Sequence, residues 1–138
     1  MRITRIYISS SGYVKEAALK KDTGIIGDSH AKGGKRQVSI LDEKARKAIE
    51  NMEDKGLCTL RFIENITIEK LDIDNIKIGD KLVVNGVILE IAETGKRCFP
   101  ECSLNELNKP CPLRKNVAYA KIINSGEIHI GDIIGKMD

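Results

Sequence analysis

The sequence predicts a mainly β, barrel-like fold, and three observations support this prediction. Isoleucine is the most frequent apolar residue, with 21 copies, and its branched side chain favours the half-buried surface of a sheet. Asn85-Gly86 stands between two alternating apolar segments, which is the strongest short signal of a β-hairpin. The tripeptide Ile-Gly-Asp recurs at residues 26–28, 78–80 and 130–132. Each copy predicts a tight corner between short strands, and repeated corners suit a closed or nearly closed barrel better than a flat sheet.

The alternation of apolar and polar residues places the individual strands. Predicted strands cover residues 2–9 with a continuation at 14–18, then 37–41, 62–68, 81–84, 87–92, 117–123 and 128–134. One helix is expected after the third strand, where Asp42 is the cap and Gly56 ends the helix after about residue 54. Ser103 predicts a second, short helical turn close to Cys102.

Composition limits the classes of function. The 138 residues predict one domain, 1–138, with a net charge of +3, and five aromatic residues without Trp argue against a nucleic-acid platform. No apolar stretch has the length of a signal peptide core or a membrane span, so we expect a cytoplasmic protein without membrane contact. Four cysteines in a reducing compartment point to thiol chemistry or metal binding before disulfides.

Residues 95–102 contain the best candidate for chemistry. Cys98 directly follows Lys96 and Arg97, and neighbouring positive charge favours the thiolate, the reactive form of cysteine. A second cysteine, Cys102, follows Pro100 and is either a resolving thiol for Cys98 or a packing residue.

A second candidate segment is the long polar loop at residues 20–36. It carries His30 and three cations within seven residues, and a loop of this length is often functional. Lys35 and Arg36, with Lys96 and Arg97, would form a rim that binds an anion around the Cys98 thiolate.

Several readings of these residues stay open. Cys98, Cys102 and Cys111 with a histidine would make a structural zinc site, although only one cysteine pair has suitable spacing. Cys98 with His30 and Asp28 would make a hydrolytic triad. A thioredoxin-type pair requires C-x-x-C, which is absent from this sequence. The fourth reading is a thiolate that carries sulfur or binds a transition metal, and the fifth is an ordinary half-buried cysteine.

A set of motifs in one order resembles the MOSC domain, the family named for the C-terminal part of molybdenum-cofactor sulfurases. The motifs are Gly24-Ile25-Ile26-Gly27-Asp28-Ser29-His30, Arg36-Gln37-Val38-Ser39-Ile40-Leu41, Phe62-Ile63-Glu64-Asn65-Ile66-Thr67, Ile78-Gly79-Asp80-Lys81-Leu82, Leu89-Glu90-Ile91, Gly95-Lys96-Arg97-Cys98 and Gly126-Glu127-Ile128-His129-Ile130-Gly131-Asp132. Together they cover about residues 3–135.

The resemblance implies a barrel like the β-barrel of pyruvate kinase, with Cys98 as the family's cysteine. In related proteins this cysteine serves sulfur transfer to the molybdenum cofactor, or it ligates molybdenum and supports reduction of N-hydroxylated compounds. The resemblance also implies that the cofactor would contact Gly27, Asp28, His30, Arg36, Asn65, Lys96 and Arg97.

Two departures from larger family members narrow the expectation. The sequence has no desulfurase part with a pyridoxal-phosphate lysine, so we expect a separate sulfur donor or a cofactor-biosynthesis protein as partner. It also lacks the extra β domain of the amidoxime-reducing members. The expected function is therefore sulfur transfer to the cofactor, or ligation of its metal, through Cys98. The alternatives are a non-catalytic cofactor-binding module and a small zinc-stabilised domain.

Overall fold

The structure, a computed structural model, describes residues 1–52, 62–95 and 116–137. This part of the chain forms one α-helix, a short 3₁₀ turn at Ile73–Asn75 and eleven strands. In chain order these are β1 (Arg2–Ile8), β2 (Gly12–Val14), β3 (Glu16–Lys20), β4 (Gly24–Ile25), β5 (Val38–Asp42), α1 (Glu43–Glu50), β6 (Ile66–Glu69), β7 (Lys81–Val84), β8 (Val87–Thr94), β9 (Val117–Ile122), β10 (Gly126–His129) and β11 (Ile134–Lys136).

The strands form a curled main sheet that is nearly closed. Eight strands follow the order β11-β7-β8-β9-β5-β6-β1-β2, and β10-β3-β4 form a second, small sheet. The segment before β11 returns to the start of β1, because Ile3 donates to Asp132 O and Ile134 donates to Met1 O, at 3.0 and 2.9 Å. Since β11 then pairs with β7 at the opposite edge, the C-terminal segment connects both sides of the sheet. The mainly β, barrel-like prediction is confirmed.

The interior is apolar and rich in isoleucine. One continuous core contains buried residues from every strand except β2. Its fully buried members include Ile3, Ile40, Ile66 and Leu89. A second, smaller cluster lies outside the sheet, where α1 packs on β5 and β9 through Leu41, Ala45, Ile49, Val117 and Tyr119.

The three Ile-Gly-Asp segments are corners of one kind, as predicted. Gly27, Gly79 and Gly131 have φ values of +92, +95 and +94°. In each corner the aspartate N–H donates to the carbonyl three residues earlier, which closes a β-turn with glycine at its third position. The preceding isoleucine is exposed every time. The Asn85-Gly86 hairpin is also confirmed, with positive φ at both turn residues.

Some predicted boundaries were wrong. Gly12 turns the chain back, so residues 12–14 pair antiparallel with β1 and residues 16–20 join the small sheet instead of continuing the first strand. The polar loop contains the two-residue strand β4, which pairs with β3. These additional strands make the helix follow the fifth strand rather than the third. The last predicted strand divides at the Gly131 corner into β10 and β11.

The helix is shorter than predicted. Asp42 caps it as expected, by accepting a hydrogen bond from Lys44 N at 3.2 Å. The helix ends at Glu50 because the N–H of Met52 already bonds three residues back, to Ile49 O, in a tightened last turn. Gly56, the predicted stop, lies outside the described residues.

The strand predicted at residues 62–68 begins only at Ile66, because a buried ion pair between Glu64 and Arg46 holds the residues before it. Glu64 is buried and accepts from Arg46 of α1, with Nε at 2.9 Å from Oε1, and from Thr67 Oγ1 at 2.7 Å. This ion pair fixes α1 against the start of β6, and both members are buried, so each needs the other.

Within the described residues, no helix is long and apolar enough to cross a membrane.

Candidate functional site

The corner at Ile26-Gly27-Asp28 differs from its two counterparts in what its aspartate binds. Asp80 and Asp132 each accept a hydrogen bond from the first residue of their own turn, Lys77 N at 2.9 Å and His129 N at 2.8 Å. Asp28 instead accepts from Ser9 N at 2.9 Å and from His30 N at 3.0 Å. The side chain that elsewhere closes a turn here joins the end of β1 to the polar loop.

The Asp28 carboxylate is buried and ionised. Burial disfavours its charge and is the largest single influence, but the hydrogen bonds from Ser9 N, His30 N and the side chains of Asn65 and His30 together outweigh it. The pKa of Asp28 is therefore lower than the ordinary value. Only 2% of its side chain is exposed, so the charge is held within hydrogen bonds rather than by solvent.

His30 stands on this carboxylate. Its Nδ1 lies 3.2 Å from Asp28 Oδ2, while 61% of its side chain is exposed. A carboxylate that accepts from one ring nitrogen leaves the other nitrogen directed away from it, where it can accept a proton or a hydrogen bond. The Asp28–His30 contact that the hydrolytic-triad reading requires is present as a hydrogen-bonded pair, and the rest of that reading stays a prediction.

Asn65 links this pair to the sheet. Its Oδ1 accepts from Ser39 N and Ser39 Oγ at 3.0 and 3.1 Å, and its Nδ2 donates to Tyr7 O at 3.1 Å. A further side-chain hydrogen bond reaches Asp28. An amide offers two donors and two acceptor positions, so these partners occupy all four. Asn65 holds β1, β5 and the loop together, and its contact with a cofactor stays a prediction.

Arg36 is the last residue of the loop and lies over an aromatic ring. Its guanidinium carbon is 4.6 Å from the centroid of Tyr119, and its Nε donates to Glu93 Oε2 at 3.1 Å. The hydrogen bond to Glu93 is the main cause of a raised pKa of Arg36. Half of the Arg36 side chain remains exposed, which leaves guanidinium donors for an anion.

One transverse row of residues connects the middle of the loop, at Asp28 and His30, with its last residue, Arg36. Ser39 pairs with Tyr119 across β5 and β9, and Tyr119 pairs with Glu93 across β9 and β8. Asn65 bonds Ser39 from the other side. Cross-strand partners lie on one face of a sheet, so Asn65, Ser39, Tyr119 and Glu93 form a row that spans about 14 Å at ordinary strand spacing. Asp28 and His30 lie at one end of this row and Arg36 at the other.

The loop is anchored by Gln37, directly after Arg36, and it carries exposed cations. Gln37 is buried, and its side chain accepts from Ile122 N at 3.0 Å and donates to Gly34 O at 2.9 Å. Lys32 and Lys35 are exposed and form no ion pair with another described residue. A Cβ at Gly27 would lie 3.0 Å from Ser10 Oγ and 3.4 Å from Ile8 Cγ2, so both side chains would have to shift slightly.

The remaining predicted site residues lie outside the part of the chain that the structure describes: Lys96, Arg97, Cys98, Cys102 and Cys111. The strand that leads to them is well defined, because β8 passes through Glu93 and Gly95 N donates to Val117 O at 2.6 Å. Cys98 therefore follows, by five residues of chain, the glutamate that holds Arg36. In the described ranges, no three His, Cys, Asp or Glu side chains come together as a metal site.

Comparison with known families gives one result. The family model described as the MOSC domain matches residues 27–135. The chain belongs to the MOSC domain family. No sequence among curated proteins matches this chain.

Solved structures of low sequence identity share the fold of this MOSC domain. YuaD of Bacillus subtilis superposes with a TM-score of 0.68 at 15% identity, over 96% of this chain and 93% of its own. YiiM of Escherichia coli gives 0.67 at 15% identity, over 100% of this chain and 70% of its own. The crystal structure of a hypothetical protein gives 0.70 at 17% identity, over 100% and 69%. At such identities the likeness establishes the fold alone.

Sequence analysis missed three residues of this candidate site: Ser9, Glu93 and Tyr119. Ser9 binds Asp28 through its backbone and accepts from Ser29 N through Oγ at 2.7 Å. A serine at the end of a first strand carries no signal of its own. Glu93 and Tyr119 come together only through strand pairing, although Glu93 stands two residues before the Gly95 motif and could have been considered with it.

Proposed function

We propose that this MOSC domain binds the molybdenum cofactor along the row from His30 to Arg36 and that Cys98 provides the thiolate that accepts sulfur or ligates the metal. The observation that supports this most is the Arg36–Glu93–Tyr119 cluster. It joins the cationic loop to β8, which Gly95-Lys96-Arg97-Cys98 follow in the sequence.

The described residues fit the anionic end of such a cofactor. A pyranopterin carries a phosphate, which Arg36 can bind bidentately and exposed Lys32 and Lys35 can attract as point charges. They do not supply a metal site, because the described ranges hold no group of three ligating side chains. A thiolate from Cys98 is therefore the ligand on which the metal end of the proposal depends.

The cofactor would supply a redox-active metal bound to sulfur, and the chain's own residues would supply binding and orientation. Arg36 would bind an anionic group, and the face of the Tyr119 ring restricts its guanidinium. Asp28 and Asn65 fix the loop that carries the cations. A persulfide donor protein or a cofactor-biosynthesis protein stays the proposed partner, since cofactor and sulfur must come from elsewhere.

Cofactor retention tests this proposal. The protein is produced in cells that make the cofactor, and purified wild type is analysed for molybdenum, zinc and pterin beside Cys98→Ser, Arg36→Met and Arg2→Met. Arg2–Glu69 is a matched control, because it is an exposed arginine–glutamate pair of nearly the same exposure as Arg36–Glu93. We expect wild type and Arg2→Met to retain cofactor, Arg36→Met to retain at least about tenfold less, and Cys98→Ser to lose metal or persulfide sulfur.

Other results would favour other functions. Cofactor binding that is only modestly weaker in Cys98→Ser, without turnover of any N-hydroxylated substrate, indicates a binding module. Stoichiometric zinc that resists removal indicates a zinc-stabilised domain. A wild type that takes up neither cofactor nor persulfide sulfur contradicts the proposal.

A further inference from the structure

We propose that His30 is the proton-accepting residue of this site and that Asp28 is its positioning residue, which presents the ring as the Nδ1–H tautomer with Nε2 toward the substrate. The substrate class is a small molecule with a weakly acidic N–H or O–H, as in N-hydroxylated compounds. The substrate class rests on the proposed function, whereas the tautomer rests on this structure alone.

The geometry of the pair determines the tautomer. Asp28 Oδ2 lies 3.0 Å from the backbone nitrogen of His30 and 3.2 Å from Nδ1. An ionised carboxylate only accepts hydrogen bonds, so Nδ1 must carry the proton. In the neutral ring Nε2 then has a free lone pair, and the ring is exposed enough to meet a ligand. Asp28 is the one carboxylate that the described residues place in ion-pair contact with His30.

The other two corners show that this arrangement is not a consequence of the turn. They have the same glycine conformation and the same backbone hydrogen bond, yet their aspartates bond back to their own turns. Only Asp28, among the three, is turned toward the neighbouring strand end and a histidine two residues later. Closing the corner therefore does not require this orientation, whereas fixing the His30 ring does.

His129 provides a second internal comparison. Its Nε2 lies 3.3 Å from Glu16 and its Nδ1 lies 3.6 Å from Asp132, so both ring nitrogens face carboxylates. It joins β10 to β3 at positions that pair directly. His129 is therefore held on both sides, whereas among the described residues His30 has a carboxylate contact at Nδ1 only.

The proposed step is a proton transfer. The N–H or O–H bond of the substrate breaks and its electron pair stays on the substrate, while the proton forms an N–H bond at His30 Nε2. The imidazolium that results is stabilised by the Asp28 carboxylate, which stays ionised. The proton then returns from Nε2 to the product, and the ring returns to its starting tautomer.

Nitrogen NMR of the protein without cofactor tests the tautomer. The chain has two histidines, so His30→Gln assigns both rings. About two pH units above the ordinary histidine pKa of about 6.5, long-range ¹⁵N–¹H spectra should show His30 with a protonated Nδ1 and a bare Nε2. Asp28→Asn should remove this predominance, and Asp132→Asn, the matched change at an equivalent corner, should leave His30 as it is.

A wild-type His30 with a protonated Nε2, or a tautomer that Asp28→Asn leaves unchanged, overturns the proposal. If Asp28→Asn does not fold, the wild-type spectrum still decides.

Turnover separates this inference from the proposed function. If wild type takes up no cofactor, the proposed function fails while the tautomer result stands. If it takes up cofactor and reduces an N-hydroxylated substrate, His30→Gln should lower kcat per bound cofactor about 100-fold with little change in KM. If kcat is unchanged in His30→Gln at equal cofactor content, the role of His30 is overturned while the proposed function stands.

Discussion

At the scale of single residues, the Asp28 carboxylate accepts hydrogen bonds from Ser9 N and His30 N, outside its own turn. Its charge is disfavoured by burial and is retained because four hydrogen-bond donors face it. These hydrogen bonds thus keep a buried anion next to an exposed histidine. The sequence placed Asp28 and His30 together only as members of a possible hydrolytic triad and, through the family resemblance, of one cofactor site. It could not predict Ser9, which reaches Asp28 only because β1 ends beside the loop.

The lowered pKa of Asp28 predicts a pH-dependent contribution to stability. Because the folded-state pKa lies below the unfolded value, this contribution is complete above the unfolded pKa of about 4 and is lost as pH falls through the folded pKa. Asp28→Asn should therefore be less stable than wild type at pH 7, and the difference should shrink toward about pH 3. Urea unfolding of both proteins at the two pH values measures it. A difference that stays constant with pH would contradict the hydrogen-bonded anion.

At the scale of elements, the corners and the hairpin were predictable and the row of site residues was not. Ile-Gly-Asp and Asn-Gly are local signals, because glycine is needed where φ is positive. The pairing of Ser39, Tyr119 and Glu93 depends on which strands become neighbours, and no local pattern contains that information. The start of β6 was predicted too early for a similar reason, since Arg46 binds Glu64 from a distant helix.

The corner glycines give a graded stability prediction. Gly79→Ala should cost about 1–2 kcal/mol, because an L side chain is strained at φ +95° even though no atom lies within 4 Å of the new Cβ. Gly27→Ala should cost more, since its Cβ would also meet Ser10 Oγ at 3.0 Å and Ile8 Cγ2 at 3.4 Å. Gly135→Ala is the control, with open space and no positive φ, and should be nearly neutral. Chemical denaturation ranks the three; equal costs at positions 79 and 135 would contradict the corner assignment.

At the scale of the whole molecule, the C-terminal segment closes the sheet. Two neighbouring isoleucines of this segment differ in burial, since Ile134 is 3% exposed and Ile133 is 70% exposed. Ile134 pairs with Val84 of β7 and donates to Met1 O, so it contacts both sides of the closure. The barrel-like prediction was therefore right, although several predicted strand boundaries were wrong.

Alanine at these two positions tests the closure. Ile134→Ala should lower the free energy of unfolding by about 2–5 kcal/mol, because it leaves a cavity at the joint of the sheet. Ile133→Ala should change it by less than about 0.5 kcal/mol. Thermal and urea unfolding measure both, and similar effects of the two changes would show that the segment does not close the sheet.

The fold and the family are established for this molecule, and its central functional claim is that the His30–Arg36 row and Cys98 together hold the molybdenum cofactor. Metal, pterin and persulfide analysis of wild type beside Arg36→Met, Cys98→Ser and the Arg2→Met control tests this proposal. We expect molybdenum and pterin in wild type and in Arg2→Met, less pterin in Arg36→Met, and loss of molybdenum or of persulfide sulfur in Cys98→Ser. Wild-type protein without pterin, or an Arg36→Met that retains as much as Arg2→Met, would contradict it.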